Sequence, residues 1–155
     1  MKTLQIQIPE GFKVESFDEQ SGTVKFAPIP KDITERVKSV QDAIVELGES
    51  DEEVIELRKL QDAGITSHVL NHQEAVVLVK ALNEGWIPDY TDSTQPKYEI
   101  IWDMNPSSGV GFSFFHYVFW DQVSGVCSRL VFKNTKILKY AANEFTDVFR
   151  KFQKH

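Results

Sequence analysis

The stretch that decides the fold is YEIIWDMNPSSGVGFSFFHYVFWDQVSGVCSRLVF, residues 98–132, in which runs rich in aromatic and β-branched residues are separated by short glycine-containing segments. Such runs are typical of β-strands bounded by turns. They predict three strands, Tyr98–Asp103, Phe112–Trp120 and Val126–Phe132. Because connections this short join antiparallel neighbours, the three strands are expected to form a meander.

An amphipathic helix is predicted directly after the meander, from about Thr135 to Phe152. Its apolar positions recur every three or four residues, with polar residues on the opposite side. These positions are Leu138, Ala141, Phe145, Val148, Phe149 and Phe152. We expect this face to lie across one face of the sheet, because a helix and a sheet each bury one apolar side against a neighbour.

An N-terminal hairpin and three helices are predicted before the meander. Apolar alternation on both sides of Ser21-Gly22 predicts the hairpin, which includes Leu4, Ile6 and Ile8 and ends near Pro28. Each helix begins at a capping box. The boxes are Asp32 with Glu35, Ser50 with Glu53 and Asn71 with Glu74, and the helices end near Gly48, Gly64 and Asn83. The prediction is a single α+β domain over residues 1–155, whose hairpin and meander form an antiparallel sheet with helices packed mainly on one face.

The net charge of −6 is unevenly distributed along the chain. Residues 1–128 carry 10 Lys or Arg against 21 Asp or Glu, whereas residues 129–155 carry 7 against 2. The acidic bulk disfavours nucleic acid and acidic membranes as partners, although the basic C-terminal segment is able to attract them. Neutralisation of the two ends by each other, within the fold or between copies, is the favoured interpretation.

The composition predicts a cytoplasmic protein. Cys127 is the only cysteine, so no disulfide forms within the chain, as is typical of a reducing compartment. The opening residues lack the continuous apolar run of a signal peptide. No stretch approaches the roughly 20 apolar residues that a membrane span requires, so no membrane association is expected.

The predicted strand Phe112–Trp120 carries apolar side chains on both faces. Strict alternation assigns Phe112, Phe114, His116, Val118 and Trp120 to one face and Ser113, Phe115, Tyr117 and Phe119 to the other. A tight turn near Val123 would set Tyr117 opposite Arg129 as a cation–π pair. An uncovered face would be a stacking platform for bases or a dimer interface, whereas the alternative is a sheet buried on both faces.

No residue pattern specifies a catalytic, metal or cofactor site, and none is predicted. His68 and His72 have the spacing of zinc ligands, but Val69 replaces the glutamate of the HExxH motif, and a helix cap is predicted between the two histidines. Cys127 and His116 suggest a nucleophile and its base, yet the predicted pairing puts them on opposite faces of the sheet. The glycine-rich residues 107–111 match no phosphate-binding loop.

Three further segments resemble a family of uncharacterised bacterial and phage-associated proteins. They are N-E-G-W-x-P-D at Asn83–Asp89, S-R-L-x-F-K at Ser128–Lys133, and a segment of the last helix that begins K-Y-A, at Lys139–Phe145. The opening IPEGFKVESFDEQSGTVKF is similar to the family's N-terminal hairpin. The resemblance implies a phage or mobile-element context. It implies no activity and carries no catalytic residues to this chain.

The chain concentrates its aromatic residues in one region and has no recognisable set of catalytic residues. This combination indicates a non-enzymatic binding or assembly module with an unknown partner. Residues 86–120 hold 10 of the 18 aromatic residues. In one version of this hypothesis the chain binds single-stranded nucleic acid through an aromatic sheet face. In another version it forms a homo-oligomer. The rival hypothesis is a small enzyme with a pocket near residues 86–96. The candidate binding residues are Trp86, Tyr90, Trp102, Tyr117, Trp120 and Arg129.

Overall fold

The computed structural model describes residues 5–105, 112–125 and 128–153. It divides the chain into two compact units, residues 1–32 and 33–155. The expectation of a single domain stays a prediction. Among the described residues, no helix combines the length and apolar character needed to cross a bilayer.

The first unit is a β-hairpin. Its strands β1 (Phe12–Asp18) and β2 (Thr23–Pro28) are antiparallel. The side chain of Asp18 closes the turn, accepting hydrogen bonds from two backbone N–H groups at 2.9 and 3.4 Å. The predicted hairpin is therefore confirmed. The alternation at the start of the chain is misleading, because residues 5–9 form no strand and Ile6 and Ile8 are exposed.

The second unit contains the helices and a second sheet. Its elements in chain order are α1 (Ile33–Arg36), α2 (Val40–Leu47), α3 (Glu52–Asp62), α4 (His68–Leu82), β3 (Lys97–Asp103), β4 (Ser113–Trp120), a 3₁₀ helix (Ser128–Leu130), α5 (Thr135–Glu144) and α6 (Thr146–Gln153). The α+β class is confirmed. The prediction of one common sheet is wrong, because the described strands form two separate two-stranded sheets.

Helix α4 is the centre of the second unit. It contacts α2, α3, α6 and the 3₁₀ helix, so neighbours surround it. A helix that is apolar on most sides is suited to such a position. Its buried residues are Ala75, Val76, Val77, Leu78, Val79, Ala81 and Leu82.

The predicted third strand, Val126–Phe132, is wrong. Its middle forms the 3₁₀ helix, and Phe132 makes only an isolated antiparallel bridge to Tyr98, with N···O distances of 3.1 and 2.9 Å. Tyr98 also lies opposite Phe119 of β4, so the bridge occupies the other side of β3. The chain therefore returns beside β3 and not beside β4. Cys127 lies outside the described residues.

A β-bulge at Phe115 changes the faces of β4. Ile101 lies opposite His116 and Trp102 opposite Phe114, so Phe115 has no partner on β3. Phe114 consequently points to the core face with Tyr117, and both pack against the buried core. The alternation predicted for residues 112–120 is wrong on the N-terminal side of the bulge, because the extra residue inverts the facing of every earlier side chain.

Two predicted helices are each divided. The first stops at Arg36 and a new helix, α2, begins where the Ser39 hydroxyl accepts a hydrogen bond from the backbone N–H of Asp42 at 3.1 Å. The last is interrupted at Phe145, whose backbone angles of φ −117° and ψ 23° are not helical, and α6 follows.

The starts of α3 and α4 also differ from the predicted capping boxes. Asp51 rather than Ser50 caps α3, and Ser67 rather than Asn71 caps α4. Neighbouring Ser, Asp and Asn residues are all able to cap a helix, so the sequence leaves this choice open.

Candidate functional site

The six candidate binding residues do not share one surface. Trp86 and Arg129, 43 positions apart in the sequence, line the same cleft. Trp102 and Tyr117 pack against the core. Tyr90 and Trp120 lie beside two buried charged residues of β3, which are described below. The structure thus brings together one pair of the predicted set in a concave site.

The Trp86 cleft, defined by the residues listed here, has a volume of about 360 Å³. One wall is the first turn of α3, the floor is α4, and the opposite wall is the segment that follows α4. The lining residues are Glu52, Glu53, Val76, Lys80, Asn83, Trp86, Ile87, Pro88 and Arg129. This size lies at the lower end of the range of small-ligand pockets.

The segment that carries Trp86 is set by the end of α4. Asn83 is buried; its side-chain Nδ2 donates to the carbonyl of Val131 at 2.8 Å, and its Oδ1 accepts from the backbone N–H of Lys133 at 3.0 Å. Glu84 then adopts a positive φ of 51°, which turns the chain out of the helix. The backbone N–H of Trp86 donates to the Asn83 carbonyl at 3.0 Å. Together these contacts fix where the indole enters the cleft.

The acidic run at residues 51–53 has two roles. Asp51 caps α3, accepting a hydrogen bond from the backbone N–H of Glu53 at 3.0 Å. The same carboxylate holds the Lys80 ammonium at 2.9 Å, and Glu52 lies 3.4 Å from that ammonium. Burial works against the charged ammonium, but the hydrogen bonds and negative charges of Asp51 and Glu52 together outweigh it and raise the pKa of Lys80.

Glu53 joins three elements across the cleft. Its carboxylate accepts from Gln73 of α4 at 2.8 Å and from Arg129 of the 3₁₀ helix at 3.0 Å. Burial raises the pKa of Glu53, but the hydrogen bonds from Gln73 and Arg129 outweigh it, so the pKa is lowered overall. The two cations of the cleft are therefore each paired with a carboxylate of α3.

Lys97 and Glu99 form a buried polar face on β3. Lys97 is fully buried, and its ammonium donates to the backbone carbonyls of Asp92 (3.0 Å) and Asp121 (2.6 Å) and lies 5.3 Å from the Tyr90 ring centroid. Glu99 is 2% exposed. These two side chains connect β3 to the loops on either side of the sheet.

The Glu99 carboxylate accepts hydrogen bonds from the indole Nε1 of Trp120 at 3.1 Å, the hydroxyl of Ser124 at 2.7 Å and the backbone N–H of Gly125 at 3.0 Å. Sequence reasoning missed both Lys97 and Glu99. Their alternation along β3 is typical of a solvent-facing side, so the pattern gave no signal for their burial.

Two acidic residues lie in the segment 86–96, where the alternative enzyme pocket was predicted, and both hold their own loop. Asp89 accepts bonds from the N–H and hydroxyl of Thr91, and Asp92 accepts the same bonds from Thr94, all at 2.7 to 2.8 Å. These bonds lower the pKa of both carboxyl groups. Neither carboxylate lines the Trp86 cleft.

The two histidines considered as metal ligands lie on one helix, contrary to the predicted cap between them. The ring of His72 packs edge-on against Phe152 with centroids 5.4 Å apart. Burial, with repulsion from Arg129 next in size, lowers the pKa of His72. Among the described residues, no group of three or more His, Cys, Asp or Glu side chains is placed to hold a metal ion.

The predicted contact between Tyr117 and Arg129 is wrong. Arg129 lies in the 3₁₀ helix and pairs with Glu53, whereas Tyr117 lies opposite Ile100 on β3. The cation over the Tyr117 ring is Lys139 of α5, at 5.5 Å from the centroid. The sheet and the Arg129 side chain therefore belong to different parts of the second unit.

Comparisons with known proteins identify no relative. No protein-family model matches the chain, no curated protein is similar to it, and no solved structure matches it. The function of the chain is accordingly inferred from its own geometry.

Proposed function

We propose that this chain is a non-enzymatic binding module that holds a short segment of another polypeptide in the Trp86 cleft. The observation that carries the proposal is that Trp86 and Arg129 line the same concave site. The charged side chains of this site, including Arg129, are held in ion pairs. The family resemblance adds the expectation of a phage or mobile-element setting, and the composition adds that of the cytoplasm. Both stay predictions.

The protonation chemistry of the cleft favours binding over catalysis. A general acid or base works best when its pKa lies near the working pH. Here the ion pairs push the pKa of Glu53 down and that of Lys80 up, away from neutrality in both cases. The cleft groups are thus suited to stay charged and to orient a ligand.

The charge of the cleft favours a polypeptide over a nucleic acid. Glu52 and Glu53 balance Lys80 and Arg129 in its lining, and Asp51 adds a further carboxylate at the edge. A phosphate entering the cleft would meet these carboxylates, and the net charge of −6 adds long-range repulsion. A polypeptide segment carries both kinds of hydrogen-bonding group and needs no net positive site.

The apolar wall of the cleft, formed by the segment that follows α4, favours an apolar side chain on the bound polypeptide. Ile87 is exposed, and Trp86 and Pro88 are half-buried beside it. Exposed rings and aliphatic side chains next to polar groups are typical of sites that anchor one apolar residue of a partner. A volume of about 360 Å³ suits one or two side chains.

The test is an NMR titration of the ¹⁵N-labelled full chain with capped tripeptides of the form Gly-X-Gly, where X is Leu, Phe, Pro, Lys or Glu. We expect peptides with an apolar X to shift the indole signal of Trp86 with a Kd on the order of 1 mM, as is usual for fragments of this size. Followed at the backbone amide signals of the cleft, Trp86→Ala and Arg129→Ala should weaken binding at least about fivefold, equivalent to about 1 kcal/mol.

The matched control is Arg58→Ala, which removes another arginine, partly exposed, that is ion-paired with a carboxylate, Glu49, away from the cleft. It should leave peptide binding unchanged. The proposal is wrong if no peptide shifts Trp86, or if the two cleft variants bind as well as the parent chain. Salt-sensitive binding of an oligothymidylate at Trp86 would instead support the nucleic-acid alternative.

A further inference from the structure

The outer edge of β4 is the second notable surface. Within the described residues, β4 hydrogen-bonds to β3 on one side, and no strand pairs with its other side. An edge of this kind presents backbone N–H and C=O groups that another strand is able to bind.

The edge lacks the charged residues that usually protect such strands. The eight residues of β4, SFFHYVFW, contain no Lys, Arg, Asp, Glu or Pro. The bulge at Phe115 disrupts pairing at the first part of the strand, and bulges are a common protection of edges. The five residues from His116 to Trp120 remain regular beyond it.

Large apolar side chains are exposed along this edge. Phe115 is 65% exposed, Phe119 is 60% exposed and Trp120 is 41% exposed. Together these rings present on the order of 350 Å² of accessible surface. Phe119 and Trp120 lie on opposite faces of β4, so exposed apolar surface borders the unpaired edge on both faces, as is common at interaction sites.

We infer that β4 pairs antiparallel with β4 of a second copy of this chain, through His116–Trp120, to form a continuous four-stranded sheet. This inference is independent of the function proposed for the Trp86 cleft. A two-fold axis at Val118 would set each Tyr117 opposite the partner's Phe119 and each His116 opposite the partner's Trp120. Aromatic groups would then meet on both faces of the sheet.

Charge favours a second copy over an anionic partner. The paired strands bring no like charges opposite each other, because β4 contains no charged residue. A polyanion would need cations on the strand, and the ammonium of Lys139, 5.5 Å from the Tyr117 ring centroid, lies on the core face. The interface is thus neutral and self-complementary, although each copy carries a net charge of −6.

The size of the contact predicts a weak dimer. The exposed rings of two copies supply on the order of 700 Å², and the paired backbones add to this, so the total lies near the lower limit of about 1,000 Å² for specific interfaces. A Kd of roughly tens of micromolar is expected. Because the interface is neutral and the copies repel each other, raising NaCl from about 50 to about 500 mM should strengthen association by roughly two- to threefold.

The first experiment is sedimentation equilibrium of the full chain over a wide range of concentrations at both salt levels. Phe119→Lys should weaken dimerisation by about tenfold or more, because it buries a charge opposite an aromatic ring. Val45→Lys, at an apolar residue of α2 that is 74% exposed, should leave it unchanged. A monomer at all concentrations, a dimer that salt dissociates, or equal effects of the two variants would each overturn the inference.

The second experiment tests the register. Val118→Cys, made with Cys127→Ser so that the chain has one thiol, should form an intermolecular disulfide under mild oxidation, because the two-fold axis brings both thiols together. Val123→Cys, at an exposed residue beyond the strand, should cross-link at least about tenfold more slowly. Equal rates would contradict the proposed pairing. So would concentration-independent protection of the β4 amides that point away from β3, because a segment of the same chain would then cover the edge.

Discussion

The two strands of the second sheet differ in a way that their compositions do not predict. β3 buries a lysine and a glutamate, Lys97 and Glu99, whereas β4 exposes two phenylalanines, Phe115 and Phe119. The difference follows from what lies beside each strand. β3 has a hydrogen-bonded neighbour on both sides at Tyr98 and loops over its polar face, whereas β4 has a described neighbour on one side. Position in the sheet thus outweighs the hydrophobicity of a strand in deciding its burial.

The largest expected effect is a difference in unfolding free energy between alanine substitutions at two phenylalanines three positions apart. Phe112 is fully buried and stacks on Trp102 with centroids 4.6 Å apart, whereas Phe115 is largely exposed. Phe112→Ala should lower the free energy of unfolding by about 3 to 5 kcal/mol, because it leaves a cavity in the core. Phe115→Ala should change it by less than about 0.5 kcal/mol. Urea unfolding measures both, and similar losses would contradict the burial described for β4.

The next effect concerns the polar face of β3. Glu99→Ala removes the acceptor of three hydrogen bonds and should cost about 3 kcal/mol of unfolding free energy, since buried donors without partners are unfavourable. Glu99→Gln keeps an acceptor oxygen and should cost less. Glu15→Ala, at an exposed glutamate on a strand of the first unit, is the matched control and should have little effect. The Trp120 indole signal in an NMR spectrum should move in both Glu99 variants and stay in place in the control.

The smallest effect is a pH dependence of the loop that covers Lys97. Hydrogen bonds from Thr94 lower the pKa of Asp92 below the ordinary value of 3.8. A carboxyl group whose folded-state pKa is lowered adds stability above the unfolded-state pKa, and this stability is lost as the pH falls through the folded-state pKa. Unfolding free energy should therefore decline below about pH 4, and Asp92→Asn should reduce this decline. Thr94→Val should reduce it as well; an unchanged pH profile in both variants would argue against the role of this carboxylate.

Local patterns predicted some of the local structures correctly. The N-terminal hairpin and the apolar helix α4 followed from alternation, turn residues and helical periodicity, which act over a few residues. The helix breaks after Arg36 and at Phe145 were missed because apolar periodicity continues through both. The start of α4 was placed late because Ser67 and Asn71 are both good caps.

The parts of the site that depend on distant contacts were not predictable from these patterns. Arg129 was expected on a strand, but its partner Glu53 lies 76 positions away, and nothing in the local sequence indicates that ion pair. Trp86 and Arg129 were each named as candidates, yet the cleft that they share needs the first turn of α3 as its wall. The buried Lys97 was missed because its acceptors are backbone carbonyls, which every residue has.

The bulge makes Phe115 an extra residue in the register of β4, because its two neighbours already lie opposite consecutive residues of β3. Many side chains would be tolerated at position 115, since it is largely exposed. Deleting the residue would make Phe114 and His116 neighbours opposite Trp102 and Ile101, so it would remove the bulge and still leave Phe112 and Phe114 on the core face. In a scan of the chain we therefore expect a single-codon deletion here to keep the core intact and to lengthen the regular part of β4, so that the residue at position 115 limits pairing along the edge.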